Sequence, residues 1–271
     1  MRVLRGNGRQ TAACTARDLA ILRFIGRVRY ATSKSVEVAF GMSGAMAHRR
    51  LRALASLALI EGRQELPNVP AFYALRDGGR RELERVYRDG GPRPARGVPR
   101  QKDHHAAIVE LFAKFFVALG KAKRARLDAH FFSHDLRRGG GAVVPDMVLD
   151  VRVRPRAKPG QEQRIQLCVE VDLGGVSPSK MAGRAESYGA AFRQSPVDRR
   201  LLIAAPTVRR RNRLFLALLD AEGAPSAYHG VLDQLQPLEV LTDVWLRESV
   251  DEQGIARLLP ASPIARAGRD S

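Results

Sequence analysis

Cysteine and tryptophan are almost absent: the 271 residues include two Cys and one Trp. Cys14 and Cys168 are too few for a disulfide framework or a cysteine-based zinc site, and Cys168 sits in an apolar, strand-like run where an inert buried thiol is expected. No run of 18 apolar residues occurs, and the opening MRVLRGNGRQTAAC lacks the apolar stretch of a secretory signal. A cytoplasmic protein with no membrane partner is therefore expected. Negative charge is scarce too, with 28 Asp plus Glu against 46 Lys plus Arg and a formal net charge of +18. Such a surplus points to a polyanion, nucleic acid or an anionic membrane surface. Lysine supplies only seven of those 46 basic residues. Because an arginine bias with abundant Ala and Gly also follows from a GC-rich genome, the net charge carries the argument and the Arg count does not. The field is uneven: residues 1–100 hold 20 basic and 8 acidic residues, and 101–271 hold 26 and 20.

What is present is enough apolar material, 45% of the chain, for one large or two ordinary domains. The sharpest composition break is DGGPRPARGVPRQ, at Asp89–Gln101, where glycine and proline leave almost nothing to bury. It predicts a first domain over 1–88, a linker over 89–101, a second domain over 102–224 and, after GAPSA, a C-terminal extension over 225–271. The fold class expected is mixed α/β (α+β).

In the first segment Thr15 and Asp18 have capping spacing ahead of the stripe Leu19, Ile21, Leu22, Ile25 and Val28. Ser33 is placed to cap a short helix that Gly41 ends, and Ser43 to cap a longer helix running to about Ala58. On that third helix Ala47, Leu51, Leu54 and Ala58 share one face, with Arg49 and Arg52 about 180° away. Two short strand-like runs, LIEGRQ and AFYALR, then flank ELPNVP, and a polar helix covers Asp77–Arg88. A hairpin directly after the third helix is the pattern of a winged helix-turn-helix, whose third helix enters the major groove of double-stranded DNA. The expected contacts are Arg49, Arg50 and Arg52, with His48 beside them and Lys34 and Arg63 on phosphates. The alternative is a solvated charged face, or a docking platform for protein.

The second segment predicts a helix from Lys102 to Leu119, strands at ARLDAHFF, AVVPDMVLDVRV and RIQLCVEVDL, a helix over about 179–194, a strand at RRLLIAAP and a helix over about 209–221. The order αβββαβα describes a mixed sandwich. Period two puts Asp146 and Asp150 on one face of the second strand, and Glu170 and Asp172 together on the third. If those strands are neighbours, Asp146 and Glu170 face each other. Carboxylates in strands this apolar need a partner, and a hard divalent cation such as Mg²⁺, with Mn²⁺ as its substitute, is the natural one. Carboxylates exposed at strand ends, or paired with Arg, are the alternative. Lys180, Arg184 and Tyr188 recur every four residues on the following helix. The adjacent His104 and His105 diverge, so a structural or phosphate-contacting role is expected of them rather than a zinc site. Gly139-Gly140-Gly141 reads as a loop, and Arg209-Arg210-Arg211 with Arg213 as a basic helix start.

VPDM followed 24 residues later by VEVD, in an αβββαβ order, resembles the restriction-endonuclease-like PD-(D/E)xK nuclease core. The resemblance implies Asp146 and Glu170 as Mg²⁺ ligands, with the Val171 carbonyl a further donor. Where that core has a strand lysine this chain has Asp172. Lys180 or Arg184 can supply the lost cation from the next helix, and Asp172 can bind a second ion or accept a water proton. The winged-helix region with HHAAIVELF, VVPD, VEVDLGG and RAESY, in that order over roughly 15–195, is similar to the replication-relaxation family of plasmid and mobile-element proteins. In that family E-x-D is usual, so Asp172 is its own residue, and Arg184 stands where lysine is common. The resemblance implies a nucleoid- or plasmid-associated protein that binds double-stranded DNA, with replication or mobilisation proteins as partners. Its second domain is then either a metal-dependent endonuclease, working as a homodimer if it cuts both strands, or a non-catalytic remnant in a regulator.

Overall fold

The computed structural model describes residues 14–64, 70–87, 99, 101–123, 125–136, 143–154, 161–219, 221 and 227–235. Residues 89–98 and 100 of the linker expected over 89–101, the glycine run Gly139-Gly140-Gly141 and residues 236–271 lie outside them. The chain divides into two compact units, Met1–Arg100 and Gln101–Ser271, and the architecture is mixed α/β with two sheets among the described residues.

In the first unit α1 (Ala16–Val28) starts at a reciprocal cap: the Thr15 side chain accepts from the Asp18 N–H, and the Asp18 carboxylate accepts from the Thr15 N–H at 3.1 Å. Its stripe of Ile21, Leu22, Ile25 and Val28 is fully buried. A two-residue strand, β1 (Ala31–Thr32), then precedes α2 (Ser33–Phe40). The cap of α2 is Thr32 rather than Ser33, because Ser35 lies three residues on and returns its hydroxyl to the Thr32 N–H at 3.0 Å, closing a second capping box. Gly41, at φ 57, ends α2 in the left-handed conformation that glycine adopts without strain. Ser43 caps α3 (Gly44–Ser56). That helix stops short of Ala58, which turns at φ 55 into β2 (Ile60–Arg63). β3 (Phe72–Leu75) pairs antiparallel with both β2 and β1, giving the order β1-β3-β2.

Helix α4 (Asp77–Tyr87) closes the unit. A Cβ added at Gly79 would lie 2.2 Å from the Leu59 carbonyl oxygen. Backbone therefore packs on backbone there, and Gly79→Ala is expected to cost about 1–3 kcal/mol through overpacking, read as a lower urea midpoint.

The second unit opens with α5 (Lys102–Lys121), which buries Ile108, Leu111, Phe112 and Phe115. It continues through β4 (Ala125–Phe132), α6 (Ser133–Leu136), β5 (Met147–Val153), β6 (Gln163–Val171), α7 (Pro178–Arg193), β7 (Asp198–Ala205), α8 (Val208–Leu219) and β8 (Ala227–Val231). The sheet order is β4-β5-β6-β7-β8. β4, β5 and β6 form an antiparallel meander, and β7 and β8 continue in parallel after helical crossovers. Two elements go beyond the sequence reading. α6 is a single turn, and β8, inside the segment read as an extension, is an edge strand too short to stand out from its loop. One sheet face carries the core of Cys168, Met181, Ala185, Leu201, Ile203, Leu214 and Leu218 under α7 and α8. No helix among the described residues is long and apolar enough to cross a membrane.

A candidate paired-carboxylate site

The register of β5 and β6 matches Met147 to Val169 and Val148 to Cys168. One step outward, Asp146 stands opposite Glu170, and both side chains lie on the face beneath α7. Pro145 and Asp146 precede β5 rather than belonging to it, so the Asp146 side chain is free to fold over the end of β6. Its Oδ2 accepts the Val171 N–H at 2.8 Å. Glu170, on β6, is 1% exposed. Its Oε1 accepts from the Arg184 guanidinium at 2.8 Å and from the Tyr188 hydroxyl. Burial first, and the Asp146 charge second, push the Glu170 carboxyl up to about 8. Burial also raises the Tyr188 phenol, reinforced by the Glu170 charge.

His104 is the residue that sequence reasoning undervalued. From the first turn of α5 its Nε2 lies 2.8 Å from the Val171 carbonyl oxygen and 3.2 Å from Asp146 Oδ2. The hydrogen bond to Asp146 raises its pKa, against the opposing effect of burial. The ring is thereby hydrogen-bonded to two of the oxygens offered as metal donors. Nothing local to HHAAIVELF indicates this, because the partners are 42 and 67 residues away in sequence.

The other expected members are placed differently. Asp172 is buried, but its Oδ2 is taken by Arg210, whose Nε lies 2.8 Å away, and its Oδ1 accepts the Gly174 N–H at 2.7 Å. Arg210 also donates to the Val176 carbonyl. Asp172 is thus the buried half of an ion pair that ties the loop after β6 to α8. Lys180, in the first turn of α7, is exposed and has no ionic partner among the described residues. Arg184, one turn on, is the cation that meets Glu170. Asp150 is held by the Arg164 guanidinium, at 2.9 Å from Nε, which lowers its carboxyl below the usual range. Burial pushes the Cys168 thiol up to about 12, as an inert core cysteine requires.

On α3 the side chains of His48, Arg49 and Arg52 are exposed, opposite the buried Ala47, Leu51 and Leu54. Arg50 is turned toward Asp18, at 3.6 Å. Lys34 pairs with Glu37 at 3.2 Å and Arg63 with Glu61 at 3.0 Å. Three of the six expected contacts therefore remain unengaged by ion pairs among the described residues.

Among the described residues no cluster of three or more His, Cys, Asp or Glu side chains forms a metal-holding group. The acid pair offers two carboxylates beside the Val171 carbonyl. This is a hard-oxygen set of the kind Mg²⁺ accepts with water and phosphate oxygens completing its shell. Burial is the larger cause of the upward push on Glu170 and the Asp146 charge the second; two neighbouring carboxylates with a backbone carbonyl are a donor set that fits a dication.

Residues 22–201 match the model of a family described as Replication-relaxation. No curated protein and no solved structure matches the chain.

Proposed function

The chain belongs to the replication-relaxation family, with 22–201 of its 271 residues matched, and from that premise we propose that it binds DNA in the replication or relaxation of a plasmid or mobile element and hydrolyses phosphodiester bonds at the Asp146–Glu170 pair. The first unit supports a winged helix-turn-helix reading. α2 and α3 are joined by the short turn Gly41–Ser43, and the β2–β3 hairpin follows α3 directly. His48, Arg49 and Arg52 then meet the duplex, with the already paired Lys34, Arg50 and Arg63 at its margin.

In the second unit, the observation that carries the reading is the apposition of Asp146 with the buried Glu170. Those carboxylates and the Val171 carbonyl would hold Mg²⁺ or Mn²⁺, which supplies Lewis-acid polarisation of the phosphate and a more acidic water. Arg184 fixes Glu170 through Oε1 and, being half-buried, presents its remaining donors to the developing charge. His104 and the Val171 N–H orient Asp146. Burial of Glu170 and Tyr188 excludes bulk water from one side of the pair. Cutting both strands requires two such centres and hence a homodimer.

A second reading rests on a specific observation. The strand-lysine position holds Asp172, already neutralised by Arg210, and Lys180 has no ionic partner among the described residues, so the unit would serve a non-catalytic regulator. Supercoiled plasmid with Mg²⁺ or Mn²⁺ separates the two. Nicking that falls about 100-fold or more in both Asp146→Asn and Glu170→Gln supports the hydrolase; tight, salt-sensitive binding without nicking selects the regulator. In either case Arg49→Ala with Arg52→Ala should lower the slope of log affinity against log salt by about 1.8 on duplex DNA, since each lost phosphate contact removes about 0.9. An unchanged slope refutes α3 as the DNA-facing helix.

A further inference from the structure

The face that carries the acid pair is only half covered. α7 and α8 gather over Cys168, Leu201, Ile203 and Ala205, as a crossover from β6 to β7 to β8 dictates. The rest of the same face, on β4, β5 and the first half of β6, is covered among the described residues by no helix except the single-turn α6, whose Leu136 packs against the core beside Val148. Register identifies what it displays. Arg126 is opposite Arg152, and Arg152 is opposite Arg164, so three arginines form one row across three strands. Gln166 and Arg199 form part of the next row, hydrogen-bonded at 3.0 Å. Arg154 stands beyond the first row.

Like charges directly opposite each other destabilise a sheet, and this row is held by carboxylates set between the guanidinium groups. Asp128 contacts Arg126 and Arg152; Glu162 contacts Arg126, Arg152 and Arg154; Asp150 contacts Arg164. The balance is five arginines against three acids. The arginine heads remain open to water, with Arg126 58% and Arg154 61% exposed. A large apolar side chain completes the patch. Phe131 is paired with Val148, two residues along β5 from Asp146, and is 40% exposed.

We infer that this open sheet face binds single-stranded DNA, its phosphates on Arg126, Arg152, Arg154, Arg164 and Arg199 and a base stacked on Phe131. The excess of fixed guanidinium groups requires an anion with repeated charges. Their spread over several neighbouring strands suits an extended polymer better than a compact ion. From Asp146 to Arg152 the strand advances about 20 Å at 3.4 Å per residue, enough to span several nucleotides of an extended single strand. A strand crossing the arginine row therefore leads to the acid pair. Phe131 selects the single strand: an unpaired base can lie on an exposed ring, whereas the bases of a duplex are already stacked inside it.

The inference rests on the DNA-binding reading for the kind of polymer, and it assigns to the second unit a contact separate from α3. The full chain is titrated by fluorescence anisotropy against a labelled 20-nucleotide single strand and against the same sequence as duplex, over a range of salt. Three variants are compared with the unaltered chain: Arg126→Gln with Arg154→Gln, Phe131→Ala, and Arg49→Ala with Arg52→Ala. The expected result is that the double Gln variant loses about tenfold in single-strand affinity and about 1.4 in salt slope, at 0.7 per phosphate contact. Phe131→Ala loses at least fivefold on the single strand. Both keep duplex affinity, and the α3 variant loses duplex affinity instead. Arg126→Lys with Arg154→Lys should restore most single-strand binding if the fold is intact, since the charge is retained. Single-strand affinity unchanged in the double Gln variant and in Phe131→Ala overturns the inference while leaving α3 untouched. Equal losses on duplex and single strand overturn the single-strand assignment. Absence of any binding by the unaltered chain overturns the DNA-binding reading along with it.

Discussion

Replacing Arg210 by Ala is expected to destabilise the second unit by about 3–5 kcal/mol, the cost of leaving a buried carboxylate without its counter-ion. Asp172 is 2% exposed, and its Oδ2 is paired with the Arg210 guanidinium. Without Arg210 its carboxylate keeps, among the described residues, the Gly174 N–H alone, and the Val176 carbonyl also loses the Arg210 donor. Since Val176 directly precedes Ser177, the N-cap of α7, the loss loosens the start of the helix that brings Arg184 and Tyr188 to Glu170. The loss is expected in urea unfolding followed by circular dichroism at neutral pH. The pair itself is a different quantity from the damage done by breaking it. Asp172→Asn combined with Arg210→Leu should recover much of the single-variant loss, because neither member then needs neutralising. A loss below about 1 kcal/mol for Arg210→Ala would mean that water reaches Asp172 and that the ion pair does not fasten the loop.

The second large effect depends on pH. The Glu170 carboxyl is pushed up to about 8 in the folded protein from an ordinary value of 4.5. The folded state therefore binds this proton more tightly than the unfolded chain does. Its contribution to stability is fully present below pH 4.5, declines as pH rises, and is lost above about 8, where both states are ionised. Each pH unit of separation is worth about 1.4 kcal/mol, so the span amounts to a few kcal/mol. Glu170→Gln imitates the protonated form at every pH. Its thermal midpoint should lie close to that of the unaltered chain at pH 5, exceed it by several degrees at pH 9, and vary less between the two. A variant whose midpoint tracks the parent across that range would refute the buried proton.

These two effects also show where sequence reasoning succeeds and where it stops. The apposition of Asp146 and Glu170 is legible because it follows from local rules. Period two fixes the face, the two runs are consecutive in the chain, and an antiparallel meander fixes which residues oppose. The caps at Thr15 and Ser43 and the glycine at 41 are legible for the same reason, each involving only a few neighbouring positions. Thr32 supplants Ser33 as a cap because two hydroxyl residues compete, and β1, itself only Ala31–Thr32, exists only through its pairing with β3. The union of Asp172 with Arg210 spans 38 residues and that of His104 with Asp146 spans 42; no spacing rule reaches so far. A glutamate–aspartate alternation in an apolar strand looks like a matched pair of ligands, although the fold gives one to Arg184 and Tyr188 and the other to Arg210.

The Asp172–Arg210 pair constrains how this chain can change. A lysine at position 172 alone would set its ammonium against a guanidinium that is itself mostly enclosed, in surroundings that tolerate neither cation unneutralised. Any mutational route toward a strand lysine here must first pass through position 210. The two sites are bound to drift together or stay as they are.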